Sequence, residues 1–297
     1  MPWAFAIVVP MDRFVENSPP QPVAGQTLDR GADATVGRGA ASPPIAAWWL
    51  GRTAYRDAWD LQHRLVAARY AGRIGDQLLL LEHDPVLTLG RHSDPRHVLA
   101  TPAELAAREI EVIATERGGE VTYHGPGQLT AYVIVKLADR KLLVRPLVRA
   151  LEAALAKTCA DFGVEASPRE GFPGCWCDDG SRKIGAVGLR IERGVSYHGI
   201  ALNVTVRLSD FALLDACGMP GIESTSIARE LGKPAQPTTD SVARAAAAFA
   251  VAMAAAIDAP LHGALPPYAD WGAARAELEA LLAATPAGPN SFATGTS

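Results

Sequence analysis

Apolar and polar positions are distributed unevenly along the 297 residues. Residues 15–44 are rich in Pro, Gly, Ala and Ser and carry no apolar period, which predicts a stretch without a core of its own. Residues 286–297 read the same way. Between them periodicity returns. Leu61, Leu65 and Ala68 share one face of a helix predicted over 53–70. Leu78 to Leu81 is a continuous apolar run, the mark of a buried strand, and Pro85 stops it. Residues 130–135 predict another strand. The clearest helix spans 144–162, with Pro146 in its first turn and Leu147, Ala150, Leu151, Ala154 and Leu155 at helical spacing. Residues 184–191 and 197–206 predict a hairpin turning at Glu192, Arg193 and Gly194, and Ile200, Leu202, Val204 and Val206 alternate along its second strand. Thr239 is a candidate cap for a helix reaching Met253, and 271–282 predicts a terminal helix. Helices interleaved with hairpin strands predict an α+β or mixed α/β domain.

Composition narrows the function classes. With 48% hydrophobic and 20% charged residues the chain is ordinary globular material. A net charge of −4 offers no footprint for nonspecific nucleic-acid binding. No stretch approaches the ~20 apolar residues of a membrane span. The apolar start has no basic residue before it, and Asp12, Glu16 and Asp29 do not suit a transit peptide. A cytoplasmic location is expected. Four cysteines (Cys159, Cys175, Cys177 and Cys217) are too few for a disulfide scaffold. A special cysteine here is expected to be catalytic or metal-binding.

Three segments carry candidate chemistry. RGGEVTYHGPGQL, at 117–129, has glycines that let the backbone approach a ligand, a fixed charge at Arg117, and polar tips at Tyr123 and His124. Its ordinary reading is a glycine-rich turn. In RKIGAVGLRI, at 182–191, Lys183 opens an otherwise apolar strand. It is either a gatekeeper at a sheet edge or an amine withdrawn from water for proton transfer. His198, in the next strand, reads as a core or gate histidine. DACGMPG, at 215–221, sets Cys217 among small residues before a Gly-Pro turn. A free cysteine is usually a buried structural residue, and an accessible one is a nucleophile once an ammonium or histidine favours its thiolate.

Together these segments resemble the lipoyl(octanoyl) transferase family. The resemblance rests on EHDPVLTLG at 82–90, RGGEVTYHGPGQL, GFPGCW at 171–176, RKIGAVGLRI, SYHGIALNV at 196–204 and ACGMPG at 216–221. They stand in family order between Trp49 and about Ile257. The resemblance implies a single mixed α/β domain similar to the catalytic domain of biotin and lipoate protein ligases, over 46–257. The flanks would be an N-terminal extension without fixed structure (1–45), a C-terminal helical extension (258–285) and a tail (286–297). It implies Cys217 as nucleophile and Lys183 as acid/base. The acyl group would lie along Arg117, Gly118, Gly119, Glu120, Val121, Thr122, Tyr123 and His124, against Ala186, Val187, Gly188, Gly199, Ile200 and Ala201. An octanoyl tail of about six methylenes gains at most ~5 kcal/mol on burial.

The implied reaction carries octanoyl from octanoyl-acyl carrier protein, through a thioester on Cys217, to the acceptor lysine of lipoyl domains. Those domains belong to 2-oxoacid dehydrogenases and the glycine cleavage H protein. No cofactor, metal, membrane or nucleic acid is implied. The protein partners of this family are typically acidic, and Arg140, Lys141, Arg145, Arg149, Arg190 and Arg193 are candidates for a basic docking face. One departure is the pair Cys175 and Cys177 close to Lys183. Its spacing suits no closed zinc site, and a disulfide or redox sensitivity fits it better. The rival readings are an ATP-dependent lipoate or biotin protein ligase, a cysteine thioesterase and an inert acyl-binding module. The Cys217–Lys183 pair argues against the ligase and the inert module. Free octanoate formed without an acceptor would mark the thioesterase.

Overall fold

The computed structural model describes residues 42–215, 222–233, 239–265 and 271–284. The expected tail lies outside them, as does the expected extension up to position 41. In chain order the elements are β1 (Ile45–Thr53), α1 (Tyr55–Tyr70), β2 (Asp76–His83), β3 (Val86–Leu89), α2 (Pro102–Ala107), β4 (Glu111–Ala114), β5 (Val121–His124) and β6 (Gln128–Ile134). Then follow α3 (Val144–Asp161), β7 (Ser167–Arg169), β8 (Phe172–Cys177), β9 (Arg182–Glu192), β10 (Val195–Asn203), β11 (Glu223–Ser224), α4 (Ile227–Glu230), α5 (Thr239–Ala256), β12 (Leu261–Ala264) and α6 (Trp271–Ala283). The fold is mixed α/β, as the sequence predicts.

The main sheet runs β12-β1-β2-β6-β10-β9-β8-β7, with β11 added to β9; a second sheet runs β4-β3-β5. Pairing within the main sheet is parallel at β1–β12, β1–β2 and β9–β11 and antiparallel elsewhere. The run Leu78–Leu81 is unbroken because β2 is buried on both faces. Leu78 and Leu80 join the cluster of α3 and α5, whereas Leu79 and Leu81 join that of α1 and α6. Helix α1 starts two residues later than predicted, because Thr53 still belongs to β1. The hairpin forms as predicted, and its turn is Arg193 and Gly194, both at positive φ (49° and 78°). Such a two-residue turn matches the twist of the strands it joins. Strand β10 stops at Asn203, short of the predicted Val206, because the Val204 and Thr205 N–H groups turn to the Gly127 carbonyl (3.1 and 2.8 Å). Helix α5 begins at Thr239, whose side chain lies outside the described residues.

Past position 258 the chain rejoins the sheet. β12 pairs with β1, and Ala274 and Leu278 of α6 are buried in the α1 cluster. Arg140 does not join a docking face. Its guanidinium is 2% exposed and pairs with the fully buried Asp76, which also binds Arg69 at 2.6 Å. Lys141, Arg145, Arg149 and Arg193 are exposed. Arg193 lies over the Tyr70 ring (5.3 Å), and Arg190 is half-buried. Among the described residues no helix is long and apolar enough to cross a membrane.

Candidate active site

The site is built across three neighbouring strands. Gly199 of β10 pairs with Tyr132 of β6 on one side and Gly188 of β9 on the other; Ala201 pairs with Thr130 and Ala186. Directly paired residues share a face. Gly188, Ala186, Gly199 and Ala201 therefore make a low floor with no polar side chain. Strand β5 and the loop before it cover that floor and leave a partly open cleft of about 100 Å³.

Arg117, Gly118, Gly119, Glu120, Val121, Thr122, His124, Lys183, Ala186, Val187, Gly188, Gly199, Ile200 and Ala201 all line this cleft. Val187 and Ile200 line it with backbone, because strand alternation sends their side chains into the α3–α5 layer. Tyr123 is placed elsewhere. Its ring is buried under the small sheet against Phe211, and its hydroxyl donates to Asp210 at 3.0 Å. Cys217 lies outside the described residues. The chain is described up to Asp215, whose N–H donates to the His97 carbonyl (2.8 Å), and again from Ile222. Ser224 then pairs with Lys183 and lines the cleft beside it.

Glycine lets the covering loop descend. The Gly118 N–H donates to the Leu189 carbonyl at 3.0 Å. A Cβ on Gly188 would stand 2.9 Å from the Gly118 carbonyl oxygen. Arg117 braces this loop from below: its guanidinium donates to the Thr88 hydroxyl (3.0 Å), the Thr88 carbonyl (2.5 Å) and the Gly118 carbonyl (3.1 Å). It shapes the loop with donors that the sequence reading assigned to a ligand.

Half-buried Lys183 stands at the β11 end of the cleft with its ammonium over the Trp176 ring, 5.0 Å from the centroid. Strand alternation at β8 turns Trp176 toward Lys183 and sends Cys175 and Cys177 into the core below α3. Both thiols are free and buried, as is Cys159. Hydrogen bonding to Cys175 and burial raise the Cys159 thiol far above its ordinary range. Of the two readings offered for the pair, a disulfide or redox sensitivity, the disulfide is not formed, and the pair faces away from the cleft. No group of three His, Cys, Asp or Glu among the described residues is placed to hold a metal ion.

The inner wall is polar. The His83 Nδ1–H donates to the Thr53 carbonyl (2.8 Å), so Nε2 accepts from the Tyr132 hydroxyl (2.6 Å). Burial lowers His83 to about 4 and pushes Tyr132 well up. The Gln128 amide donates to Tyr123 and Asn203, leaving its oxygen to accept from His124 Nδ1–H at 2.7 Å. Burial, reinforced by His83 and Arg117, holds His124 well below the imidazole range. His198 has a φ of +55°, which interrupts strand alternation and lets it line the cleft beside Gly199. Its Nε2–H donates to Glu116 (3.3 Å), as do Trp59 (2.9 Å) and His63 (3.3 Å). Burial alone would raise the Glu116 carboxyl, but these donors outweigh it and hold the group low.

The sequence reading assigned no role to Tyr55, Trp176, Thr130, Tyr132, Gln128 or Asn203. Signals were present for several: His83, Trp176, Gln128 and Asn203 lie in the segments EHDPVLTLG, GFPGCW, RGGEVTYHGPGQL and SYHGIALNV. Tyr55 comes from α1 and Thr130 and Tyr132 from β6, which only folding brings to the cleft.

Residues 54–250 match the lipoyl protein ligase A/B catalytic domain family. The octanoyltransferase of Chloroflexus aurantiacus is 47% identical over 190 residues, 64% of this chain and 85% of that protein. The octanoyltransferase of Acidobacterium capsulatum is 45% identical over 209 residues, 67% of this chain and 85% of its own length. Among solved structures, lipoate-protein ligase A bound with ATP superposes with a TM-score of 0.56 at 14% identity, covering 80% of this chain and 94% of that one. A bi-partite lipoate protein ligase from Thermoplasma acidophilum has a TM-score of 0.51 at 14% identity, covering 80% and 92%. At that identity the likeness is one of fold.

Proposed function

The chain belongs to the octanoyltransferases of the lipoyl protein ligase A/B catalytic-domain family, and from that premise we propose that it transfers octanoyl from acyl carrier protein to the acceptor lysine of lipoyl domains through a thioester on Cys217. The observation that carries this reading is the apolar, small-residue floor that ends at Lys183 and Ser224. Cys217 stands two positions beyond Asp215 and seven before Ser224.

In the first half-reaction the Cys217 thiolate, paired with the Lys183 ammonium, attacks the thioester carbonyl carbon. The tetrahedral intermediate collapses with cleavage of the bond to the carrier's thiol, which leaves with the proton of Lys183. The acyl group now rests on Cys217 and Lys183 is neutral. In the second half-reaction the acceptor amine attacks the acyl-enzyme, Lys183 takes its proton, and Cys217 departs as thiolate. The ion pair is restored, and ping-pong kinetics follow. The thioester supplies the activation, so no nucleotide is consumed. Exposed Lys141, Arg145, Arg149 and Arg193 are the candidate basic groups placed to meet acidic protein partners.

Intact-mass analysis after mixing with octanoyl-acyl carrier protein tests the reading. The adduct is expected in the wild type, in Cys175→Ser and in Cys177→Ser, and absent from Cys217→Ser. Lys183→Ala is expected to slow both half-reactions by ~100-fold or more. An adduct on Cys217→Ser, or transfer that requires ATP, would refute the proposal.

A further inference from the structure

We propose that the inner wall of the cleft is a water-holding stop that sets acyl chain length, with Thr130 and His198 as its specificity-determining residues. The proposal rests on the acyl-transfer reading above. Thr130 and His198 are each 1% exposed and line the cleft. Yet Thr130 Oγ1 and His198 Nδ1 have no hydrogen-bond partner in the protein. Buried polar atoms are seldom left so, and an ordered water is their usual partner in a polar cavity.

The His198 ring is held in one tautomer. Its Nε2–H is engaged by Glu116, and its backbone N–H by Gln62 Oε1 at 2.8 Å. Nδ1 is therefore an acceptor. His124 Nδ1 donates to Gln128, so its Nε2 is a second acceptor. The buried Tyr55 hydroxyl lines the same wall. Two ring acceptors and two hydroxyls can hold water with the two to four partners it needs.

The floor formed by Ala186, Gly188, Gly199 and Ala201 carries no polar side chain. From β9 to β6 it spans two strand spacings, roughly 10 Å. Along that floor each methylene adds about fourfold to affinity. Beyond it, a methylene displaces water whose hydrogen bonds it cannot replace, and affinity is lost. A chain that ends in a hydroxyl at that depth takes over the water's role. The wall thus accepts a longer chain only with a polar terminus.

The test compares octanoyl, decanoyl and 10-hydroxydecanoyl thioesters of acyl carrier protein with the full chain. The wild type is expected to favour octanoyl over decanoyl by ~10-fold or more in kcat/KM, and the terminal hydroxyl to recover most of that loss. Thr130→Val keeps the shape and removes the hydroxyl; it should shrink the octanoyl-to-decanoyl ratio at least several-fold, and Thr130→Ser should restore it. Calorimetric titration with the three free acids reads the same wall without turnover. Absence of octanoyl transfer alone therefore counts against the acyl-transfer reading. Equal affinity for decanoate and 10-hydroxydecanoate, or an unchanged ratio in a folded Thr130→Val protein, overturns the water stop.

Discussion

Burial holds the His83 imidazole down at about 4 while its two ring nitrogens are occupied by Thr53 and Tyr132. The unfolded chain protonates the same ring near 6.5. Between those values the unfolded state binds the extra proton, so stability contributed by neutral His83 is present above about pH 6.5 and is lost as pH falls toward 4. From pH 7 to pH 5 the unfolding free energy is expected to drop by about 2 kcal/mol from this residue alone. His63 acts in the opposite direction, because its hydrogen bond to Glu116 raises it. Urea melts at the two pH values, with His83→Gln as reference, check the sign. An identical pH slope in both proteins would remove His83 as its source. Sequence marks His83 only as part of a segment; its neutrality is a product of its surroundings.

At the scale of elements, the turn between β5 and β6 shows what a single glycine contributes. Gly127 has a φ of +85°, and a Cβ there would lie 2.6 Å from the Thr205 carbonyl carbon. Its N–H donates to buried Glu82 (2.7 Å), and its carbonyl takes the N–H groups that end β10. Gly72 shares the left-handed backbone (φ +70°) but faces open space. Gly72→Ala is therefore expected to cost only the backbone term, roughly 1 kcal/mol. Gly127→Ala should cost several times more and lower Tm by ~5 °C or more. Equal melting shifts for the two variants would refute the close-approach argument. The long amphipathic helices and the β9–β10 hairpin were legible because their periods and turn residues are local. The strands β3, β4 and β5 were not. Each has four residues, and each is held by pairing to a partner distant in sequence.

At the scale of the whole molecule, Asp76 ties distant parts together. Its carboxylate accepts from Arg69 of α1, from the Lys136 N–H (3.1 Å) and from Arg140. Arg69 also reaches Asp139 at 2.7 Å. Removing one partner of a buried ion pair leaves the others uncompensated, so Asp76→Ala is expected to cost about 3–5 kcal/mol. Asp84→Ala, which breaks a half-exposed pair with Arg52, should cost under about 1 kcal/mol. Chemical denaturation of the two variants checks the contrast, and comparable losses would contradict it. The charge pattern alone made Arg140 a candidate for a docking face; a basic side chain looks the same in sequence whether it meets water or a buried carboxylate.

The sequence by itself determined the fold class, the main helices, the hairpin and, through its ordered segments, the family and most of the residues that meet at the cleft. The fold class, helices and hairpin follow from local spacing and residue type; the family and the cleft residues follow from the resemblance that the ordered segments carry. Tertiary structure alone decided which way each side chain faces. It turned Tyr123 to Asp210, Arg117 to the loop backbone, Cys175 and Cys177 to the core, and Thr130 and His198 to the inner wall. The physical reason is strand alternation combined with long-range pairing. A one-residue step reverses a side chain's face, and the partner that sets that step lies tens of residues away.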